Sequence, residues 1–325
     1  MRLKSLIRRK FKLVLAVIVV AGCSLVILRF IASAGPGVVS PAGRASAAVI
    51  GRAVAGDNDH GGGGGQAVDP ALFSPGACVA FGPTAGDRHE TVFLDAGHGG
   101  IDPGAVGATQ NGTQVSESTV NLPIELDTMA ILRAEGYRVV VSRTANTSVT
   151  KLTRADVSGG LLTVQGAFAD VAARAVCANL AKADVLVGIY MDGGYEGQGG
   201  SLTGYDADRP FSAENLRLAT LVQHDVLAAM NARGWQIPDG GVLPDSGLGS
   251  ATSAAAQAYD HLLLLGPAQT GYFSTPSMMP GALIEPLYVT DPFEASIAVS
   301  AQGQHVIAGG IAKAVSQYFA SAQPS

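Results

Sequence analysis

The chain has 325 residues, of which 47% are apolar and 14% charged, and its formal net charge is −5. This length accommodates one large domain or two small ones, and the apolar fraction suffices for a full core. Residues 1–33 hold seven basic side chains and no acidic one, so the remainder has 14 basic against 26 acidic groups, a net charge of −12. Because phosphate binding needs clustered Lys and Arg, this acidic remainder argues against nucleic acid as a partner.

The first apolar segment of the chain predicts a membrane anchor. Leu13–Leu28 is an apolar run of sixteen residues, and apolar residues resume after Arg29. A membrane span needs about 20 residues, and basic residues before it favour a cytoplasmic N-terminus. We therefore expect residues 13–32 to anchor the chain and everything that follows to be extracytoplasmic, in the cell envelope. Two alternatives stay open: a signal peptide cleaved near residues 32–34, and a lipoprotein cleavage box ending at Cys23.

The next segment predicts a linker between this N-terminal segment (residues 1–33) and a domain over residues 90–322. Residues 34–89 are rich in Gly, Ala, Pro and Ser, a composition that buries too little apolar surface to offset the entropy of ordering. Two of the three cysteines, Cys78 and Cys177, lie beyond the apolar segment. In an exported chain they are candidates for a disulfide, and the alternative is that Cys177 is a small buried residue on a helix.

From residue 91 onward, apolar runs alternate with segments of helical periodicity. This alternation predicts an α/β domain, with a mostly parallel open sheet and helices on both faces. Ligands bind such sheets beyond the carboxyl ends of the strands. The predicted strands are 91–96, 137–142, 185–191 and 282–287, with 200–205 as an edge strand; the predicted helices are 120–134, 165–183, 213–233 and 304–319, and a Gly/Pro/Asp-rich loop follows residue 233.

The most informative stretch is Val92–Gly107, in which an apolar strand stops in a Gly-rich turn that contains His98. The glycines permit positive φ and close approach, so the His98 imidazole can point into a cleft. A lone histidine after a strand is more often a hydrogen-bonded loop residue than a metal ligand. With its surroundings, however, this stretch closely resembles the opening motif of the zinc-dependent N-acetylmuramoyl-L-alanine amidases, the type-3 amidase family.

The resemblance continues in order over residues 91–320. Glu117 stands just before Val-Asn-Leu and matches the family's metal-binding Glu, while Glu285, in a late apolar run after Pro280, matches the catalytic carboxylate. Tyr190 stands in the strand where the family has its second histidine ligand. The resemblance thus implies Zn²⁺ held at the positions of His98, Glu117 and Tyr190, with Glu285 as the catalytic residue.

Pro123 bears on the position of Glu117. A proline inside a helix removes a hydrogen bond and clashes with the preceding turn, but it is harmless in the first turn. We therefore expect the helix to begin near Val120 with Thr119 as its N-cap. Glu117 would then lie in the preceding loop, which is compatible with reaching a metal.

Tyr190 is the main departure from the family pattern. A catalytic zinc normally keeps three protein ligands and a water, and a phenol with a pKa near 10 ligates well only if the metal deprotonates it. Three outcomes stay open. Tyr190 is a conditional ligand, or Asp192 or His261 substitutes for it, or the site holds no zinc.

The resemblance also implies the reaction. The amide between the lactyl group of N-acetylmuramic acid and L-Ala of the stem peptide would be hydrolysed by a zinc-activated water. The expected partner is peptidoglycan or a muropeptide, in keeping with an extracytoplasmic domain. The alternative is a catalytically degenerate domain that binds muropeptide or regulates cell-wall enzymes.

Overall fold

One mixed sheet organises the domain, in a computed structural model that describes residues 64–249 and 252–321. Eight strands form this sheet, and two short ribbons, β4–β5 and β7–β8, lie outside it. The described strands are β1 (Gln66–Ala67), β2 (Ala77–Phe81), β3 (Thr91–Ala96), β4 (Val106–Ala108), β5 (Gln114–Ser116), β6 (Arg138–Arg143), β7 (Val157–Ser158), β8 (Leu161–Leu162), β9 (Val185–Ile189), β10 (Ser201–Tyr205), β11 (Asp239–Pro244) and β12 (Gly281–Glu285).

The strand order of the sheet is β1-β2-β6-β3-β9-β12-β10-β11. The four central strands, β6, β3, β9 and β12, are parallel to one another, as are β10 and β11. Antiparallel pairs join β1 to β2, β2 to β6 and β10 to β12. The predicted mostly parallel sheet is confirmed, with its central strands at the positions that the apolar runs indicated.

Helices cover both faces of the sheet, as predicted. On one face, α1, α3 and α6 pack against alternate strand residues such as Leu94, Val187 and Ile284. On the other face, α2 packs against residues such as Phe93 and Leu186. The described helices are α1 (Glu117–Ala134), α2 (Val164–Leu180), α3 (Ser212–Asn231), α4 (Ala254–Tyr259), α5 (Pro292–Ala298) and α6 (Ala301–Ala320), with a 3₁₀ turn at Arg154–Asp156.

The predicted linker is wrong where the structure describes it. β1 and β2 lie within residues 34–89, and β2 extends the sheet by pairing with β6. Ala77, Cys78 and Val79 are buried there, and the Cys78–Cys177 disulfide joins β2 to α2, with 5.7 Å between the Cα atoms. The short apolar run of β2 is flanked by Gly, Pro and Ser, so the local composition indicates a linker. The strand forms because it pairs with β6, far along the chain.

Two further boundaries differ from the prediction. β10 is not the edge strand, because β11 pairs with its outer side. β11 was assigned to the Gly/Pro/Asp-rich loop, and its sequence Asp-Gly-Gly-Val-Leu-Pro lacks the continuous apolar character of a central strand. An exposed edge strand needs little apolar surface, which explains the omission.

Helix α1 begins at Glu117 rather than near Val120. Its N-cap is Ser116, and the backbone N–H groups of Glu117 and Ser118 donate to the carbonyls of Ala105 and Pro103. The preceding loop thus accepts hydrogen bonds from backbone N–H groups that have no partner inside the first turn. The helix can therefore begin at Glu117, before Pro123. Pro123 is consequently inside the helix, and Glu117 is its first residue.

The predicted anchor at residues 13–32, with its alternatives, lies outside the described residues. Among the helices of residues 64–249 and 252–321, none combines the length and the apolar character that a membrane span requires.

We expect loss of the Cys78–Cys177 disulfide to lower the free energy of unfolding by about 2–5 kcal/mol, because the bond closes a long loop in the unfolded chain. The two cysteines are 99 residues apart. Urea unfolding of Cys78→Ser, Cys177→Ser and the double variant, with and without reductant, measures this effect. The single variants should match the double variant and the reduced wild type. Cys23→Ser is the control, and an unchanged midpoint after reduction would contradict the prediction.

Candidate active site

The predicted site residues meet at one edge of the sheet, beyond adjacent parallel strands. His98 follows β3 by two residues, Tyr190 follows β9 directly, and Glu285 is the last residue of β12. Ala96 lies opposite Ile189 in the sheet, and Ile189 lies opposite Ile284, so the three strand ends are level. This edge is where a parallel sheet is expected to bind its ligands.

His98 lies between two carboxylates. Its Nδ1 is 2.8 Å from Asp102 Oδ2, and its Nε2 is 3.3 Å from Glu117 Oε2. Burial alone would lower the pKa of His98, but Glu117 and Asp102 outweigh burial and raise that pKa to about 10. The imidazole is therefore held by a carboxylate on each side, and the Asp102 contact resembles the outer partners that orient histidine ligands.

The turn that carries His98 needs unusual backbone geometry. His98 has φ of 60°, in the left-handed region, which non-glycine residues rarely adopt. Gly104, with φ of 67°, passes so close that a Cβ there would lie 2.6 Å from Glu117 Oε2 and 2.7 Å from His98 Cδ2. Only glycine fits this position without displacing the His98–Glu117 pair.

Glu117 is fixed chiefly by backbone donors. Its Oε1 accepts the N–H of Met191 at 3.0 Å, and its Oε2 accepts the N–H of Ala105 at 2.8 Å. The side chain is buried, and its position at the start of α1 favours a negative charge through the helix dipole. Two loops and a helix end therefore hold this carboxylate in place beside His98.

The Tyr190 hydroxyl is directed away from this pair. It donates to Asp95 Oδ2 at 3.1 Å, while the ring meets the His98 ring edge-on, with centroids 5.5 Å apart. Burial, followed by the charge of Asp95, raises the pKa of Tyr190 well above its usual value. The side chain therefore stays a neutral phenol whose hydroxyl already has an acceptor.

Asp192 and Glu285 form a carboxyl pair next to Glu117. Burial raises the pKa of Glu285 well above its usual range, and the neighbouring carboxylates of Asp192 and Glu117 raise it further. Burial and Glu117 also raise the pKa of Asp192, which accepts a hydrogen bond from Tyr288. Asp192 and Glu285 thus share this edge with Glu117 and His98, and the carboxyl pair retains a proton to a higher pH than isolated carboxylates do.

The structure places His261 elsewhere. His261 contacts Asp206 and Asp245, which follow β10 and β11. Because β10 runs antiparallel to β12, its carboxyl end lies at the opposite end of the sheet from Glu285. His261 therefore does not take the place of a ligand beside His98, whereas Asp192 lies at the correct edge.

Sequence reasoning missed the buried charges that support this edge. Arg174, on α2, donates to Asp95 at 2.6 Å, to Asp170 at 2.8 Å, and to the carbonyls of Ala96 and His98 at 2.7 and 2.8 Å. The available signal was an Asp and an Arg four residues apart in an otherwise Ala-rich helix, together with an Asp inside the apolar β3 run.

A second arginine completes the support. Arg143, at the end of β6, donates to the carbonyls of Ala96, Gly97 and Ser118. It thereby ties the turn after β3 to the first turn of α1, which carries Glu117. Both arginines are fully buried, so their donors satisfy carbonyl groups that water does not reach.

Comparisons with known proteins show the family of this chain. A family profile described as N-acetylmuramoyl-L-alanine amidase matches residues 92–317. A segment of 145 residues is 30% identical to the uncharacterized protein YqiI of Bacillus subtilis (strain 168), and the match covers 44% of this chain and 57% of that protein. The chain therefore spans little more than half the length of that curated relative.

Two solved structures share the fold. One is the CwlD amidase from Clostridioides difficile in complex with the GerS lipoprotein, with 20% identity, a TM-score of 0.53, and coverage of 72% of this chain and 100% of that chain. The other is Cwp6 from Clostridium difficile, with 18% identity, a TM-score of 0.52, and coverage of 72% of this chain and 29% of that chain. Similarity at this level of identity concerns the fold alone.

We expect Arg174→Met to lower the free energy of unfolding by about 3–5 kcal/mol, because it leaves Asp95 and Asp170 buried without their cation. Chemical denaturation measures this loss. Arg154→Met is the matched control at an exposed arginine, and it should change stability by no more than about 0.5 kcal/mol. An equal loss of unfolding free energy in the two variants would show that the ion pairs of Arg174 do not stabilise the fold.

Proposed function

The chain belongs to the type-3 N-acetylmuramoyl-L-alanine amidase family, and from that premise we propose that it is a peptidoglycan hydrolase. The proposed reaction is hydrolysis of the amide between N-acetylmuramic acid and L-Ala of the stem peptide. The observation that carries this proposal is the convergence of His98, Glu117 and Glu285 at one sheet edge, in the order of the family motifs. Peptidoglycan or a muropeptide is the proposed partner.

His98 Nε2 and Glu117 Oε2, which are 3.3 Å apart, offer two ligand atoms to a divalent cation at this edge. Within the described residues, Glu117 has an ion pair only with His98, although Asp192 and Glu285 add two more carboxyl groups nearby. We infer that His98 and Glu117 are two ligands of Zn²⁺, and that Asp192 rather than Tyr190 supplies the third. Zinc held there supplies Lewis acidity and an activated water nucleophile.

The side chains of the site divide the remaining work. Asp102 holds the His98 ring through Nδ1, which leaves Nε2 for the ligand position. Glu285 accepts the proton of the attacking water and passes it to the leaving amine. Burial and the neighbouring carboxylates raise the pKa of Glu285, and this favours retention of the transferred proton until the leaving amine takes it.

We also propose an extracytoplasmic location with anchoring by residues 13–32. The Cys78–Cys177 disulfide supports this location, because stable disulfides belong chiefly to oxidising compartments. The apolar run after a basic N-terminus supports the anchor on sequence grounds alone.

A second candidate function is muropeptide binding without hydrolysis. The observation that favours it is Tyr190, whose hydroxyl is committed to Asp95 at the place where the family has a histidine ligand. This alternative shares the substrate class with the amidase proposal and differs only in turnover.

We expect the full chain, loaded with zinc, to release stem peptide from purified peptidoglycan, and Glu285→Gln to lower the rate by about 10²–10⁴-fold through loss of the general base. Mass spectrometry of the soluble products measures the release. Glu196→Gln is the control, since Glu196 is an exposed glutamate. Retained activity in Glu285→Gln contradicts the proposed role, and binding without release by zinc-loaded wild type supports the second candidate.

Substitutions at residues 190 and 192 separate the two possible third ligands. We expect Tyr190→Phe to keep zinc affinity within a few-fold, and Asp192→Asn to weaken it by about 100-fold or more, because a lost ligand costs at least as much as a lost outer partner. Competition with a chromophoric chelator measures both. Tyr190→His should strengthen binding if its ring reaches the ion. The reverse ranking of Tyr190→Phe and Asp192→Asn would identify Tyr190 as the working ligand.

A further inference from the structure

A second group of metal-ligating side chains lies at the other end of the sheet. Asp206 directly follows β10, Asp245 directly follows β11, and His261 comes shortly after α4. These three residues, hereafter the Asp–Asp–His cluster, bring one ligand atom each to within 4.8 Å of one another. None of them takes part in the proposed amidase chemistry.

The cluster is separate from the candidate active site by topology. In the antiparallel pair of β10 and β12, Leu202 lies opposite Glu285, and Gly204 lies opposite Leu283. β10 therefore runs away from Glu285 and reaches Asp206 at the far end of the sheet. β11 is parallel to β10, so Asp245 emerges beside Asp206, and its N–H donates to the Tyr205 carbonyl at 2.8 Å.

The geometry of the cluster centres on one imidazole nitrogen. His261 Nδ1 is 3.1 Å from Asp206 Oδ2 and 3.0 Å from Asp245 Oδ1. Ligand atoms bound tetrahedrally at zinc distances lie about 3.3 Å apart. A shift of a few tenths of an ångström therefore opens the space between these three atoms to a metal ion.

The remaining polar atoms of the cluster have the partners that bound ligands usually have. Asp206 Oδ1 accepts the N–H of Asp208 at 2.7 Å, and Asp245 Oδ2 accepts the N–H of Leu262 at 3.1 Å. The other nitrogen of His261, Nε2, lies 3.7 Å from the exposed carboxylate of Asp208. Backbone donors thus hold the two aspartates so that their other oxygens face His261 Nδ1.

One buried atom points to a missing partner. Asp206 is fully buried, and its Oδ2, which faces His261 Nδ1, accepts no hydrogen bond. The Arg209 guanidinium does not supply one, because it donates to the carbonyls of Leu265, Gly266 and Ser277. An unsatisfied buried carboxylate oxygen is costly, and a bound cation would satisfy it.

The donor set selects the class of ion. Ca²⁺ and Mg²⁺ prefer sites made wholly of oxygen ligands, whereas an imidazole with carboxylates suits zinc and other first-row divalent ions. We propose that the Asp–Asp–His cluster binds a divalent metal ion of the zinc type, which fastens His261 and the residues after it to the ends of β10 and β11. Leu264 and Leu265, which follow His261, are buried against the sheet, so the ion would secure a core-forming segment.

The competing explanation is an ion pair in which a protonated His261 serves both aspartates without any metal. The two explanations differ in their response to zinc. A metal site binds one zinc ion per chain, and that binding stabilises the folded protein. An ion pair binds no zinc and gains no stability from it. Zinc stoichiometry and zinc-dependent melting of the full chain in detergent therefore discriminate between them.

The experiment uses two backgrounds, so that its outcome is independent of the active-site proposal. One is the wild type, and the other is His98→Ala/Glu117→Gln, which removes two of the three proposed active-site ligands. Each chain is stripped with chelator, reloaded with Zn²⁺ in excess Mg²⁺ and Ca²⁺, and analysed by elemental mass spectrometry. His261→Asn and the near-isosteric Asp206→Asn are the test substitutions, and His224→Asn is the control, because His224 contacts Asp225 yet is exposed.

We expect His261→Asn and Asp206→Asn to lower bound zinc by one equivalent in both backgrounds, and His224→Asn to leave it unchanged. Zinc should raise the melting temperature of the His98→Ala/Glu117→Gln chain, and each test substitution should abolish that rise. Zinc content that is unaffected by both test substitutions overturns the proposal. An equal melting temperature of the His98→Ala/Glu117→Gln chain with and without zinc also overturns the proposal. The ion pair would then explain the cluster.

Discussion

The buried ion pair between Arg174 and Asp95 is the constraint on which the candidate active site depends. Both side chains are excluded from water, an arrangement that is unfavourable unless the buried charges are paired and hydrogen-bonded. The two terminal nitrogens of Arg174 join two carboxylates and the carbonyls of Ala96 and His98, while its Nε has no hydrogen-bond partner. The turn that carries His98 is thereby attached to α2 through its own backbone, which helps to hold His98 at positive φ.

The same ion pair explains how Tyr190 fits where the family has a histidine. Asp95 uses one carboxylate oxygen for Arg174 and the other for the Tyr190 hydroxyl. The Tyr190 ring occupies space that a Cβ at residue 97 would enter, at 2.4 Å from the ring, so Gly97 is required for its placement. Tyr190 is therefore integrated into the buried charge network, and it contacts the neighbouring residues through Asp95 and the His98 ring rather than through a free hydroxyl.

The sequence predicted the parts of the fold that have local signals. The apolar runs of the central strands and the Gly-rich turn at His98 are contiguous features, and the structure brings His98, Tyr190 and Glu285 to one edge as parallel topology requires. The parts that were missed depend on distant partners. β2 is recognisable only through its pairing with β6 and its disulfide to α2, and β11 only through β10.

The same distinction applies within the site. Motif order identified Glu117, but the helix start was misplaced because the carbonyls of Pro103 and Ala105, which satisfy the first N–H groups, cannot be inferred from local sequence. His261 was expected near the cleft on the assumption that the chain between Gly240 and Pro280 borders it. Because β10 runs antiparallel to β12, His261 lies instead at the opposite end of the sheet, beside the residues that follow β10 and β11.

Backbone contacts and side-chain contacts both position the sheet edge that carries His98 and Glu117. Glu117 is held by the N–H groups of Ala105 and Met191, and His98 is held by a turn whose carbonyls are fixed by buried arginines. These positions tolerate little variation, because moving them would leave backbone groups unsatisfied. The residues after β9 are held by both kinds of contact: the N–H groups of Tyr190 and Asp192 donate to the carbonyls of Ile284 and Leu287, and the Tyr190 hydroxyl donates to Asp95. Because the sheet fixes the backbone of this segment, a substitution at Tyr190 or Asp192 changes the side chain presented at this edge and leaves the strand ends in place.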